Sequence, residues 1–161
     1  MNRLTANPRD YIGRRADLLA FDDFRTKGDT LLTQALVSPD STGAVIAGIE
    51  KLAQRFLLEL LTEYGTTAGI PDRGCQFMRD ARQGRWRTPA DVRRSFSSSM
   101  LQVRRSLVRD WVPSDPRDEL FSEAEMLDVV VSGDFVSVRI ALTSLAGETR
   151  VILYPMRTTF Y

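Results

Sequence analysis

A chain of 161 residues is long enough for one domain, or one domain with an arm, and long enough to bury a core without staples. Its 43% hydrophobic and 27% charged residues are ordinary for a globular protein, and a net charge of +1 creates no overall field that would draw it to nucleic acid. With no histidine and the single cysteine Cys75, the sequence lacks the usual general base, every Ser-His or Cys-His dyad, an internal disulfide and any cysteine-based metal cluster, so no metal or other cofactor is expected. No apolar run approaches the roughly 18 residues that signal a membrane span, and Met1 to Pro8 lack the apolar stretch of a secretory leader, which predicts synthesis in a cytoplasm without membrane association.

Residues 1–40 are predicted to form an extended arm. They hold short apolar clusters with polar breaks, room for one short helix, and a short strand within residues 30–37, where apolar and β-branched residues alternate loosely after the Gly28-Asp29 turn signal. The second unit, residues 41–161, follows a Ser-Pro-Asp-Ser-Thr-Gly loop. Val45, Ile49, Leu52, Phe56 and Leu60 recur at three- and four-residue spacing, which predicts a helix over 43–64 with a wide apolar arc and Gly65 as its C-cap. Pro71 and Gly74 frame a corner, after which a second helix is expected over 73–83.

Thr88-Pro89-Ala90-Asp91 is a helix start with a physical reason at each position. Threonine can cap, proline sits where its missing N–H leaves nothing unpaired, and aspartate occupies the capping-box position. The third helix then runs to about Asp110, with Val92, Phe96, Met100, Val103 and Leu107 as its core stripe. Leu101 and Val108 fall on a second line, and Arg94, Arg105 and Arg109 on the roughly opposite side. Beyond Pro113 and Pro116 the period changes. Strands are predicted over 126–131, 135–143 and 149–154, separated by Ser132-Gly133-Asp134 and Leu145-Ala146-Gly147-Glu148 turns. The fold class is therefore α+β, about three helices on one face of a small antiparallel meander.

Few residues suggest chemistry. Glu50, Glu59, Glu63, Glu119, Glu123 and Glu125 read as solvated positions on helix flanks or loops, not as the close carboxylate pair of a glycosidase. The serines at 95, 97, 98 and 99 have no base to activate them. Cys75 reads as a small buried apolar residue, and Trp86 and Trp111 as packing at the core or its lip. Basic charge comes from 20 arginines and 2 lysines, a composition suited to planar, multidentate contacts. Interleaved aspartates argue for ion pairing or protein interfaces over nucleic acid, and Arg94 and Arg105 are candidate partner contacts on the third helix. The chain ends in Pro155-Met156-Arg157-Thr158-Thr159-Phe160-Tyr161, aromatic and β-branched where disordered tails are polar. Arg150, Tyr154, Arg157, Phe160 and Tyr161 are accordingly candidate contacts of a strand arm that joins another subunit's sheet.

The order of Gly48-Ile49-Glu50-Lys51-Leu52-Ala53-Gln54, Leu60-Leu61-Thr62, the Gly65 to Gly74 corner and the meander with its Ala146-Gly147 turn resembles the GPW-like baseplate family of contractile phage tails, called lysozyme-like by name. The resemblance spans about two-thirds of the chain and omits the first forty residues. It implies a virion protein of the tail baseplate, made in the host cytoplasm and present in several copies around the tail axis. Its implied partners are the tail sheath protein, baseplate wedge proteins and tail tube or hub proteins. Such a protein acts as a wedge component and sheath initiator through strand exchange, not as an enzyme. The family often carries Glu-Pro-Arg between the last long helix and the sheet. Here Asp115-Pro116-Arg117 stands there, with the acid one carbon shorter, and the resemblance carries intersubunit contacts onto Asp115 and Arg117. Two readings from other classes remain beside it: a glycan-cleaving enzyme using Glu59, Glu63 or Glu119, and a small nucleic-acid-binding virion accessory protein.

Overall fold

The computed structural model describes residues 45–158 together with the segment Asp17–Leu18. The strand expected within residues 30–37 lies outside the described residues, as do Phe160 and Tyr161. The chain is an α+β protein: among the described residues, three α-helices pack with a three-stranded antiparallel meander.

β1 (Asp17–Leu18) pairs antiparallel with β2 (Val45–Ile46), so this part of the first forty residues is extended and tied to the second unit. That pairing also moves the start of the first helix. α1 (Gly48–Leu61) begins five residues later than the periodicity suggests because Val45 and Ile46 are spent in the strand. Its arc of Leu52, Ala53, Phe56, Leu57 and Leu60 is buried, as a stripe at three- and four-residue spacing requires.

α1 ends at Leu61, not at Tyr64. The Thr62 N–H still donates to the Leu58 carbonyl at 3.0 Å, but Thr62 is extended, and its own carbonyl accepts the Cys75 N–H at 2.9 Å. The Tyr64 N–H donates to the Cys75 carbonyl at 3.0 Å, completing a parallel bridge between Glu63 and Cys75. Gly65 is therefore part of the loop beyond the helix and not its cap. The bridge also delays α2 (Phe77–Arg82), which cannot begin while residues near 75 pair with the end of α1. Gly74 is the tight point: its φ is +86°, and a Cβ there would stand 2.4 Å from the Thr62 carbonyl oxygen.

α3 (Pro89–Arg109) starts as its sequence prescribes. The Thr88 hydroxyl accepts the Asp91 N–H at 3.3 Å and the Asp91 carboxylate accepts the Thr88 N–H at 3.0 Å, a complete capping box. Val92, Phe96, Val103 and Leu107 are buried and Met100 half-buried. Trp86 is in the core against Phe77, with ring centroids 4.4 Å apart, whereas Trp111 is exposed at the lip.

After a 3-10 turn at Arg117–Glu119 come β3 (Phe121–Ser132), β4 (Phe135–Ser144) and β5 (Thr149–Arg157), in spatial order β3-β4-β5. β3 starts five residues before the expected Met126. Irregularities between Phe121 and Glu123 and between Met126 and Asp128 break its alternation and conceal it from a period-two reading. β5 continues through Pro155 to Arg157, past the expected end at Tyr154. Proline is admissible there because β5 is an edge strand. Met126, Val129, Val136, Val138, Ile140, Leu142, Ile152, Tyr154 and Met156 form the inner face and share one core with the helices.

Candidate assembly interface

The register of β4 and β5 determines which main-chain groups of β5 are free. Paired residues in this ladder alternate between hydrogen-bonded and non-hydrogen-bonded pairs. The Ser144 N–H donates to the Glu148 carbonyl at 2.9 Å at one end, and the Thr158 N–H to the Asp134 carbonyl at 2.8 Å at the other. Even-numbered β5 residues therefore bond to β4, and Thr149, Val151, Leu153 and Pro155 point their main-chain groups to the open edge. Pro155, opposite Ser137, meets that rule, since its nitrogen is not asked to donate to β4.

The same odd-numbered residues carry their side chains on the sheet's outer face. Val151 is 44% exposed and Leu153 43%, and Val130 of β3 lies on that face as well. Val130, Val151 and Leu153 are not among the residues expected to make partner contacts. The signal was present: β5 is apolar at Ile152 and Tyr154 on one face and at Val151 and Leu153 on the other, the composition of a strand covered on both sides.

The two edges of the sheet differ. β3 carries Glu123, Glu125 and Asp128 and two irregularities, devices that blunt an edge against pairing. β5 from Thr149 to Tyr154 has one charge, Arg150, and its side chain turns inward to pair with Glu50 of α1 at 3.1 Å. Tyr154 also faces inward and is buried, and burial pushes its phenol above the usual range. Neither Arg150 nor Tyr154 thus presents its side chain from the outer face. Arg157 is exposed at the end of β5, opposite Phe135.

Arg117 lies beside the turn between β4 and β5, and Asp115 stands two residues before it. Asp115 accepts the Val112 N–H at 2.9 Å and so closes its own turn after α3. The exposed Arg117 guanidinium donates to the Leu145 carbonyl at 3.3 Å, while its own carbonyl accepts the Ala146 N–H. This link is therefore clasped to the turn that leads into β5. Arg94 and Arg105 stand apart from it on the exposed side of α3, where Arg94 pairs with Asp91 at 3.3 Å.

The carboxylates correct the sequence reading. Glu59 and Glu119 are buried, at 2% and 3% exposure, not solvated. Glu119 accepts the Gly48 N–H at 3.1 Å and the Lys51 ammonium at 2.7 Å. Glu59 accepts the Gly74 N–H and the Arg73 guanidinium, and the bond from Arg73 is the main reason that the Arg73 pKa is raised. Glu63 is half-buried and pairs with Arg82 at 3.1 Å. These acids hold helix ends and the corner in place. Cys75 is fully buried, and desolvation raises its thiol pKa.

Among the described residues, no group of three or more acidic, cysteine or histidine side chains converges as a metal site, and no helix is long and apolar enough to cross a membrane. No protein-family model matches the chain, and no curated protein or solved structure matches it at a significant level.

Proposed function

We propose that this protein is a structural component of a contractile-tail baseplate that joins tube and wedge proteins and starts sheath assembly by strand exchange. The carrying observation is the β5 edge, which combines open main-chain groups at Thr149, Val151 and Leu153 with exposed apolar side chains on the same residues. Main-chain pairing gives such a contact its affinity, and the alternating side chains give it selectivity. The clasp between Arg117 and Leu145 supports the reading further, because it fixes the sheet's turn to the Asp115-Pro116-Arg117 link. In this reading the helices are held by wedge proteins and the sheet offers a fixed starting register to the first sheath subunit. The protein works by binding and geometry.

The test is capture of the sheath protein from the same phage by co-expression. Truncation after Tyr154 would remove Met156 from the core, so substitution on the free edge is the cleaner probe. Val151→Pro removes an outward N–H and leaves the bonds to β4 intact, as Pro155 already does. The full chain should capture sheath protein and the Val151→Pro variant should not. A chain shortened after Thr158 separates the contribution of the terminal aromatics. Absence of capture by the full chain defeats the proposal.

A further inference from the structure

α3 spans 21 residues, or about 31 Å at 1.5 Å per residue, and only one of its faces is used by the core. On the other face Leu101 is 59% exposed, the highest value for a large apolar side chain among the described residues, and Val108 is 44% exposed. They lie seven residues apart and so line up along the helix axis. Arg94, Arg104 and Arg105 flank them, all exposed. Arg94 has Asp91 as a partner, and neither Arg104 nor Arg105 forms an ion pair with a described residue. The line ends near the exposed Trp111, beside a shallow groove also bordered by Val108 and Leu145.

An exposed apolar seam with cationic flanks has few fitting occupants. A second copy of the same face would set arginines against arginines, and like charges in close register destabilise a helix pair. A membrane surface requires a broad apolar face that can sink into the interface, whereas this helix is fixed in the core along its other side and offers two aliphatic chains. A nucleic acid backbone would meet Leu101 and Val108 in the middle of the cationic surface, where they contribute nothing to phosphate binding. A helix with leucine-like residues at seven-residue spacing and carboxylates on its flanks satisfies both the seam and its rim.

We infer that the exposed face of α3 is a docking site for an acidic amphipathic helix of another protein, with Leu101 and Val108 as the apolar seam and Arg94, Arg104 and Arg105 as its charged rim. This surface is separate from the β5 edge and does not depend on the baseplate reading.

The probe is a fluorescein-labelled designed helix of about six turns, with leucines on one seam and glutamates beside them, read by fluorescence anisotropy against the full-length protein. Two further peptides accompany it: the same helix with lysines for glutamates, and a scrambled acidic peptide of identical composition. The acidic helix is expected to bind saturably and at least about tenfold more tightly than either comparison peptide. The Leu101→Ser/Val108→Ser double variant should weaken it about tenfold or more, and Arg104→Glu/Arg105→Glu should transfer preference to the lysine peptide. All four side chains are exposed, so circular dichroism should show the fold retained. Absence of saturable binding overturns the inference. So does equal binding of the scrambled peptide, which would make the surface a general polyanion site. A dimer in sedimentation that Leu101→Ser abolishes overturns it in favour of self-association.

Discussion

Glu119 accepts the main-chain N–H of Gly48 at 3.1 Å, a bond that joins the entrance of the sheet to the first residue of α1 across 71 positions of sequence. The same carboxylate holds Lys51, whose side chain is 14% exposed. A helix start normally finds its acceptor in its own flanking residue; Ala47, which occupies that place, has no side-chain acceptor. Removing Glu119 takes the acceptor from a helix N–H and a close anionic partner from a nearly buried ammonium. Glu119→Ala is expected to destabilise the protein by about 3 kcal/mol, and Lys51→Met by less, since it leaves the Gly48 bond in place. Urea denaturation midpoints of the two variants check the order, and equal midpoints would contradict it.

Gly74 and Gly69 provide a matched pair. Both have positive φ, +86° and +79°, but a Cβ at 74 meets the Thr62 carbonyl at 2.4 Å while one at 69 meets nothing within 4 Å. Gly69→Ala should therefore cost about 1 kcal/mol from backbone strain alone. Gly74→Ala should cost about 3 kcal/mol, because the bridge that receives Cys75 must open as well. Thermal denaturation of both variants distinguishes a steric corner from a merely conformational one.

The capping box makes a prediction about acid. The Thr88 hydroxyl, donating to Asp91, is the main reason that its carboxyl titrates below the usual range. A carboxyl with a lowered folded-state pKa adds stability above the unfolded value, near pH 4, and loses it as pH falls through the folded value. The stability difference between wild type and Asp91→Asn should therefore be present at about pH 6 and shrink towards pH 3. A difference that stays constant over that range would remove the titrating carboxylate from the account.

Cys75 offers a direct probe of core opening. It is fully buried, donates weakly to the Leu60 carbonyl at 3.3 Å, and has a raised pKa from desolvation. Thiolate is the reactive form, so a disulfide reagent should fail to label the native protein on the minute scale and label it promptly in strong denaturant. Prompt labelling under native conditions would show that the wall formed by α1 and α3 opens locally.

The elements that could be read from sequence were those built from neighbours. Thr88 to Asp91 carries its own cap within four residues, and the β4 alternation of Val136, Val138, Ile140 and Leu142 is uninterrupted, so α3 and β4 were visible directly. What remained hidden depends on distant partners. Glu119 resembles a solvated loop acid until Gly48 is placed beside it, and Glu59 until Arg73 returns at the corner. The start of β3 was lost to its irregularities, and its glutamates at 123 and 125 read as a linker. The expected strand stops at Tyr154, before Pro155, and only the sheet order reveals that β5 lies at an edge, where a proline can continue it. Of the candidate interface residues, Arg94, Arg105, Arg117 and Arg157 are exposed, whereas Arg150 and Tyr154 turn inward because they alternate with the outward Val151 and Leu153.

The Glu63 and Cys75 bridge, with Gly65 N–H reaching the Arg73 carbonyl at 3.4 Å, closes the neck of the intervening loop. Residues 66–72 lie beyond that neck and are mostly exposed. A loop whose two ends are already held together can lengthen with little added closure entropy. It can also be cut without releasing the elements on either side. This loop is therefore the place in the fold where the chain has room to grow: a tag or a small inserted module there would leave α1, α2 and the sheet in their present arrangement.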